Sequence, residues 1–184
     1  MEIQEQQLVI HQLASSEARL LQLVEGLTPE QWTFRETPER WSIAENIEHV
    51  IAFENFIPGV ITKLLVEPPE PEKKVLAASK ERLVLGIANG RSVKFNARDS
   101  VQPVGRWPDP ADLVDELKNS GARISAFTME TQADLRSHFF PHLAFGDLDC
   151  YQWLVLLGQH GGRHALQIEE IKGDPAYPKA PSAP

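Results

Sequence analysis

Four long stretches of this 184-residue chain carry apolar residues at alternating three- and four-residue intervals, the spacing that lays one apolar stripe along a helix and obliges such helices to pack together. Near the start, Ile3, Ile10 and Val24 interleave with Leu13, Leu20 and Leu27, and the first helix is expected to end near Gly26. Thr28-Pro29-Glu30-Gln31 offers an N-cap, a proline at the first helical position and a glutamine that can close a capping box, so a short helical turn carrying Trp32 follows. Trp41-Ser42-Ile43-Ala44-Glu45 repeats the box ahead of Ile43, Ile47, Val50, Phe53, Ile57, Val60 and Ile61. That pattern predicts a helix from about 42 to the mid-sixties, bent at Pro58.

The run from Glu67 to Lys74 holds three prolines and reads as a loop. A further helix is expected over 75–88, and residues 90–107, which lack either periodicity, read as an irregular crossover. Asp109-Pro110-Ala111-Asp112 opens another helix, with Leu113, Leu117, Ile124 and Phe127 inward, ending near Thr131. His138 and His142 flank Phe139-Phe140-Pro141 in what reads as a loop, and the last helix should run from about 149 to 172, stopped by Gly173-Asp174-Pro175. No strand pattern competes. The expectation is an all-α fold, a four-helix bundle with one long crossover connection, forming a single domain over 1–173 with a loose tail at 174–184.

Composition narrows the function classes. A net charge of −8, with the 18 basic residues scattered, opposes binding to nucleic-acid phosphates. The single Cys150 excludes an intrachain disulfide. No run approaches the roughly 18 apolar residues of a membrane span, and Met1-Glu2-Ile3-Gln4 does not resemble a signal peptide, so a cytoplasmic location is expected.

The chemistry is concentrated in the last helix. His160 and His164, four residues apart, stack on one helical face with Trp153, Leu156, Leu157, Ile168 and Ile171, whereas Gln159, Arg163, Glu169 and Glu170 fall opposite. Two inward imidazoles form a chelating pair. His49 is the best third ligand, because it lies near the wheel positions of Phe53, Phe56 and Val60 rather than on the Glu48 and Glu54 flanks. Three neutral nitrogens suit zinc, nickel or a similar divalent ion and leave a coordination position open. The competing reading is a set of hydrogen-bonded core histidines. Gly161-Gly162-Arg163 between the pair lacks the glutamate of the His-Glu-x-x-His proteases, so the segment is not that motif.

Secondary candidates follow from position. Gln167 falls on the histidine face; Glu45, a turn before His49, offers a general base but is accounted for by its capping box; His142 could reach the site from its loop. Cys150 has no assignable histidine partner and His11 reads as surface.

Trp41-Ser42-x-x-Glu45 followed by His49, then His142 to Trp153, then His160-x-x-x-His164-x-x-Gln167-Ile168, resembles the DinB/YfiT-like superfamily of metalloenzymes over most of the chain. The resemblance implies an up-down-down-up bundle in which histidines matching His49, His160 and His164 hold a divalent ion, often zinc or nickel. It also implies thiol-dependent S-transferase or isomerase chemistry for some members, with a low-molecular-weight thiol such as bacillithiol or mycothiol activated by the metal. The expected function is a metal-dependent enzyme, S-transferase or hydrolase in type, acting on a small-molecule substrate. The alternatives are a non-catalytic metal- or ligand-binding bundle with a stress-response role, and a dimerisation module with satisfied core histidines. A homodimer is compatible with each.

Overall fold

The computed structural model describes residues 1–87 and 97–179. Its helices are α1 (Ile3–Val24), α2 (Pro29–Thr33), α3 (Ile43–Leu64), α4 (Lys74–Ile87), α5 (Pro110–Glu130) and α6 (Cys150–Lys172), with a hairpin of β1 (Phe139–His142) and β2 (Gly146–Asp149) before α6. Thr28, Ser42 and Asp149 each cap a helix, and the third helical residue of each, Gln31, Glu45 or Gln152, returns its side chain to the cap's backbone N–H. Gly26 ends α1 at φ +67, a conformation costly to any residue with a Cβ. Among the described residues no helix is long and apolar enough to cross a membrane.

Helix direction follows from which residues meet. Gly158 abuts Gln12, Gly161 abuts Ser16, Arg19 pairs with Glu169 at 2.7 Å and Lys172 donates to the Leu23 carbonyl at 2.7 Å, so α1 and α6 run parallel. Asn46 meets His164, His49 meets His160, and the Phe53 ring lies 6.3 Å from Trp153, so α3 opposes α6. Ile47 and Val50 share a core cluster with Leu113 and Leu117, and Ile57 and Ile61 share one with Ile124, which makes α3 and α5 parallel. Gln6 reaches the Thr128 carbonyl while Glu17 sits by Gly121, so α5 opposes α1. In chain order the four long helices run up, down, down, up. The fold is an all-α four-helix bundle.

Several details depart from the sequence expectation. Ile3 is 72% exposed, and the buried stripe of α1 is Val9, Leu13, Ser16, Leu20 and Val24, because the first turn lies at the rim of the bundle. Gln159, Glu48 and Glu54, expected on outer flanks, are buried: both α3 and α6 contact three or more other elements, so neither has a wholly free face. The segment expected as a loop contains the β hairpin, paired from Phe139↔Asp149 to His142↔Gly146 and turned by Gly146 at φ +66. Its strands are four residues long and interrupted by Pro141, too short for alternation to register. Of the expected crossover, residues 90–96 lie outside the described residues; the remainder holds a single 3-10 turn at Asp99–Val101. Beyond α6, Tyr177 lies edge-on to Phe34 with centroids 5.5 Å apart and the Pro178 carbonyl accepts from Gln31 at 2.8 Å. Residues 180–184 of the expected tail lie outside the described residues.

Two apolar clusters fill opposite ends of the bundle, and a polar layer separates them, with Ser16, Asn46, His49, Glu54, Ser120 and His164 all buried. Glu54 bonds the Ser120 hydroxyl, and burial, reinforced by the nearby Glu17 carboxylate, pushes its pKa up to about 7. A carboxyl raised from near 4.5 binds a proton more tightly in the folded state, so this contribution to stability is present in mild acid and lost as pH rises through 7. Urea unfolding of wild type should therefore weaken between pH 6.5 and 8.5. In Glu54→Gln that alkaline loss should be reduced by an amount on the order of 1 kcal/mol, the part of the effect that falls above pH 6.5; an equal loss in both proteins would show that Glu54 ionises normally.

The close approach of α1 and α6 gives a second test. A Cβ on Gly158 would lie 2.7 Å from the Gln12 backbone, whereas one on Gly59 would meet nothing within 4 Å. Gly158→Ala should cost about 1–3 kcal/mol by overpacking, while Gly59→Ala should gain up to about 1 kcal/mol from helix propensity. Thermal melts of the pair, shifted in opposite directions, would confirm the contact.

Candidate metal centre

The polar layer opens at the seam of α3 and α6, where His49, His160 and His164 each direct a ring nitrogen to a common region, all within 4.8 Å of one another. The ring centroids of the three are 4.5 to 4.9 Å apart. Antiparallel packing makes this possible: one turn of α3, Asn46 to His49, faces one turn of α6, His160 to His164.

Neighbouring groups decide which nitrogen each ring presents. The Asn46 amide donates to the Ser42 carbonyl at 2.8 Å and the Trp41 carbonyl at 3.4 Å, which leaves its oxygen to accept from His164 Nδ1 at 2.8 Å. The Val101 carbonyl accepts from His49 Nδ1 at 2.7 Å. With Nδ1 protonated in both rings, Nε2 is the nitrogen that each turns toward the centre. His49 Nε2 stands 3.1 Å from His160 Nε2, close to the roughly 3.3 Å between two tetrahedral ligands at the usual zinc–nitrogen length. The donor set therefore fits a divalent ion. His160 differs in one respect, since its Nδ1 is buried without a hydrogen-bond partner.

The crossover orients this arrangement. Glu48, the neighbour of His49, accepts from the backbone N–H groups of Val104, Gly105 and Arg106 at 2.9 to 3.2 Å and pairs with the Arg106 guanidinium at 3.2 Å. Adjacent residues of α3 thus grip the same loop, one through a carboxylate and the other through an imidazole. Asn46, Glu48 and Val101 were not among the residues expected at the site; no spacing rule links Val101 to His49, 52 residues away.

Rings surround the histidines. Phe53 stacks on His160 at 4.2 Å, and Trp41 lies 4.7 Å from His49 and 6.2 Å from His164. Burial lowers the pKa of His49, and burial followed by the charges of the neighbouring histidines holds His160 well below the ordinary value.

The secondary candidates are placed differently. Glu45 completes the Ser42 capping box and pairs with Arg35 at 2.6 Å. His142 ends β1, stacked 4.7 Å from Phe145 and 5.3 Å from Trp153; its Nδ1 accepts from the Ala144 and Phe145 N–H groups, so the proton sits on Nε2. Burial, then the charge of Arg98, lowers its pKa to about 4. Gln167 is half-buried on α6, three residues past His164. His138 is buried behind the hairpin and His11 is exposed. Cys150 is buried, with its thiol pushed up to about 12, and is therefore inert.

The sequence matches the profile of the DinB superfamily over residues 12–168, from the first turns of α1 to the end of the His160/His164 segment. The chain belongs to the DinB superfamily. Another similar protein is Uncharacterized protein YuaE of Bacillus subtilis (strain 168), 24% identical over 143 residues that make up 78% of each chain. Among solved structures, YfiT from Bacillus subtilis superposes with a TM-score of 0.61 at 19% identity, covering 92% of this chain and 87% of that one. YfiT is described as "a probable metal-dependent hydrolase with an unusual four-helix bundle topology". At that identity the likeness concerns the fold, and the up-down-down-up order of this DinB-superfamily chain agrees with it.

For a histidine whose folded pKa is depressed, stability is present above the unfolded value near 6.5 and lost as pH falls below it, since the unfolded chain then binds the proton more tightly. The metal-free protein should therefore lose stability in urea between pH 7 and pH 5. His160→Gln should show a smaller acid loss; an acid limb identical to wild type would place the titrating group elsewhere.

Proposed function

We propose that His49, His160 and His164 hold a divalent ion, zinc or nickel, and that the protein is a metal-dependent enzyme acting on a small-molecule substrate. The observation that supports this most strongly is the convergence of three imidazole nitrogens within 4.8 Å, two of them with their other nitrogen tied to a fixed acceptor. Ligating histidines are generally oriented by such outer acceptors. The description of YfiT as a metal-dependent hydrolase points the same way.

When bound, the ion would supply a Lewis acid that makes a water or a thiol a competent nucleophile near neutral pH. The chain's own groups do the rest. Asn46 and the Val101 carbonyl keep the ring lone pairs of His164 and His49 aimed at the centre, and Phe53 and Trp41 exclude water from its walls. His142, neutral at pH 7 with its proton on Nε2, can donate a hydrogen bond but has no free lone pair with which to act as a base.

Two versions of the reaction are supported by different observations. YfiT's description favours water as the nucleophile. The disposition of Glu45 and Glu48, one committed to its capping box and Arg35, the other to the crossover, favours a thiol, which needs no carboxylate base once its proton has been lost. A non-catalytic metal-binding bundle with a stress-response role is the alternative that the same scarcity of bases supports.

Elemental analysis of protein purified without a histidine tag tests the site. Near-stoichiometric metal is expected in wild type and its loss in His49→Ala, His160→Ala and His164→Ala, with Asn46→Leu weakening affinity by about 10- to 100-fold. Full occupancy in the histidine variants would overturn the ligand assignment. Turnover of an activated ester measured against thiol conjugation to an electrophile then separates hydrolase from transferase, and no turnover of either by fully loaded protein would favour the binding bundle.

A further inference from the structure

Next to the three histidines lies a strip of rings that ends in a cation, and the residues of that strip have no role in holding the metal. Phe53, stacked on His160, is 6.3 Å from Trp153; Trp153 is 5.3 Å from both Phe140 and His142; and the Arg98 guanidinium stands 5.1 Å over the Phe140 ring. Trp153 is buried and forms the floor, its indole N–H fixed on the Phe140 carbonyl at 2.9 Å. Phe53, Phe140, His142 and Arg98 are only half-buried, so the strip has an accessible side.

Arg98 differs from most of the described arginines of this acidic chain. Arg19, Arg35, Arg40, Arg106, Arg123 and Arg136 each hold a carboxylate. Arg98 donates to the Pro141 carbonyl at 3.2 Å, and among the described residues no carboxylate lies within ion-pair distance of it. A guanidinium carries five N–H donors in a planar fork suited to an anion, and this one has spent few of them. Its place is set by the fold: the chain enters the 3-10 turn Asp99–Val101 through Arg98, and that turn delivers the Val101 carbonyl to His49. One short segment therefore orients His49 and positions the cation.

We infer that Arg98 is a specificity-determining residue, and that the substrate of the metal site is a small organic acid with an apolar or aromatic body. Its reactive end would lie at the three histidines, its body across Phe53, Trp153 and Phe140, and its carboxylate at Arg98. A carboxylate suits this cation, because its two oxygens match two parallel N–H groups of the guanidinium fork. This inference rests on the proposed metal site.

The test uses full-length protein loaded with cobalt(II), whose absorption changes when a thiolate binds. The probes are ω-mercaptoalkanoates of increasing length and para-mercaptomethylbenzoate, each paired with its primary amide. The metal content of every sample is measured in parallel. The acid of the best-fitting pair is expected to bind roughly tenfold tighter than its amide, as a charge-assisted contact replaces a neutral one. Arg98→Gln should bring acid and amide to equal affinity, and Arg98→Lys should restore part of the preference. Equal affinity of every acid and amide for fully loaded wild type would overturn the inference while leaving the metal site standing, as would a preference that survives in Arg98→Gln. Wild type that takes up no cobalt would overturn the metal site, and the inference with it.

Discussion

The register between α3 and α6 is the constraint on which the rest of the molecule depends. Gly158 and Gly161 let α6 press its backbone against Gln12 and Ser16 of α1, and this close approach sets the height of α6 in the bundle. At that height His160 and His164 face Asn46 and His49 of the antiparallel α3. A slip of one helical turn, about 5.4 Å, would carry the imidazoles past each other and leave them among leucines and isoleucines. The glycines that lower the intrinsic helix propensity of α6 thereby secure the alignment of its histidines.

That alignment places polar groups where burial is expensive. An imidazole or carboxyl deprived of water and of a partner costs about 1 to 3 kcal/mol, and the middle of this bundle contains several. Most are satisfied within the protein: Asn46 is saturated by two carbonyls and an imidazole, and Glu54 is matched to Ser120. The Nε2 atoms of His49 and His164 are of another kind, because the outer nitrogens of both rings are already committed to fixed acceptors. Each of the three rings offers one nitrogen to the same small region, and the proposed metal site rests on that convergence.

The crossover is bound to this arrangement through consecutive residues. Glu48 draws three backbone N–H groups of the segment onto α3 while His49 receives its Val101 carbonyl. The position of the loop and the orientation of a ligand ring are consequently coupled, and the same segment brings Arg98 over Phe140. Residues 104–106 are in this way tied to α3 by charge-assisted bonds to a buried carboxylate.

Much of the fold was legible in the residues themselves, because local rules suffice where the information is local. Capping boxes at Thr28 and Ser42 marked helix starts, Gly26 and Gly173 marked ends, and three-four spacing separated the long helices. The inward direction of His49, His160 and His164 was also readable, since a helical wheel needs only spacing. The burial of Glu48, Glu54 and Gln159 was not, because a wheel describes one helix against one core, and these residues lie where a second or third element covers the polar side. The hairpin escaped notice because four-residue strands with a proline show no period. Sequence alone thus determined the helices, their order and the three inward imidazoles. The tertiary structure decided which nitrogens those rings present, through Asn46 and Val101, and that Arg98 stands over Phe140. Hydrogen-bond direction and charge pairing arise between segments distant in the chain, where no periodicity carries the signal.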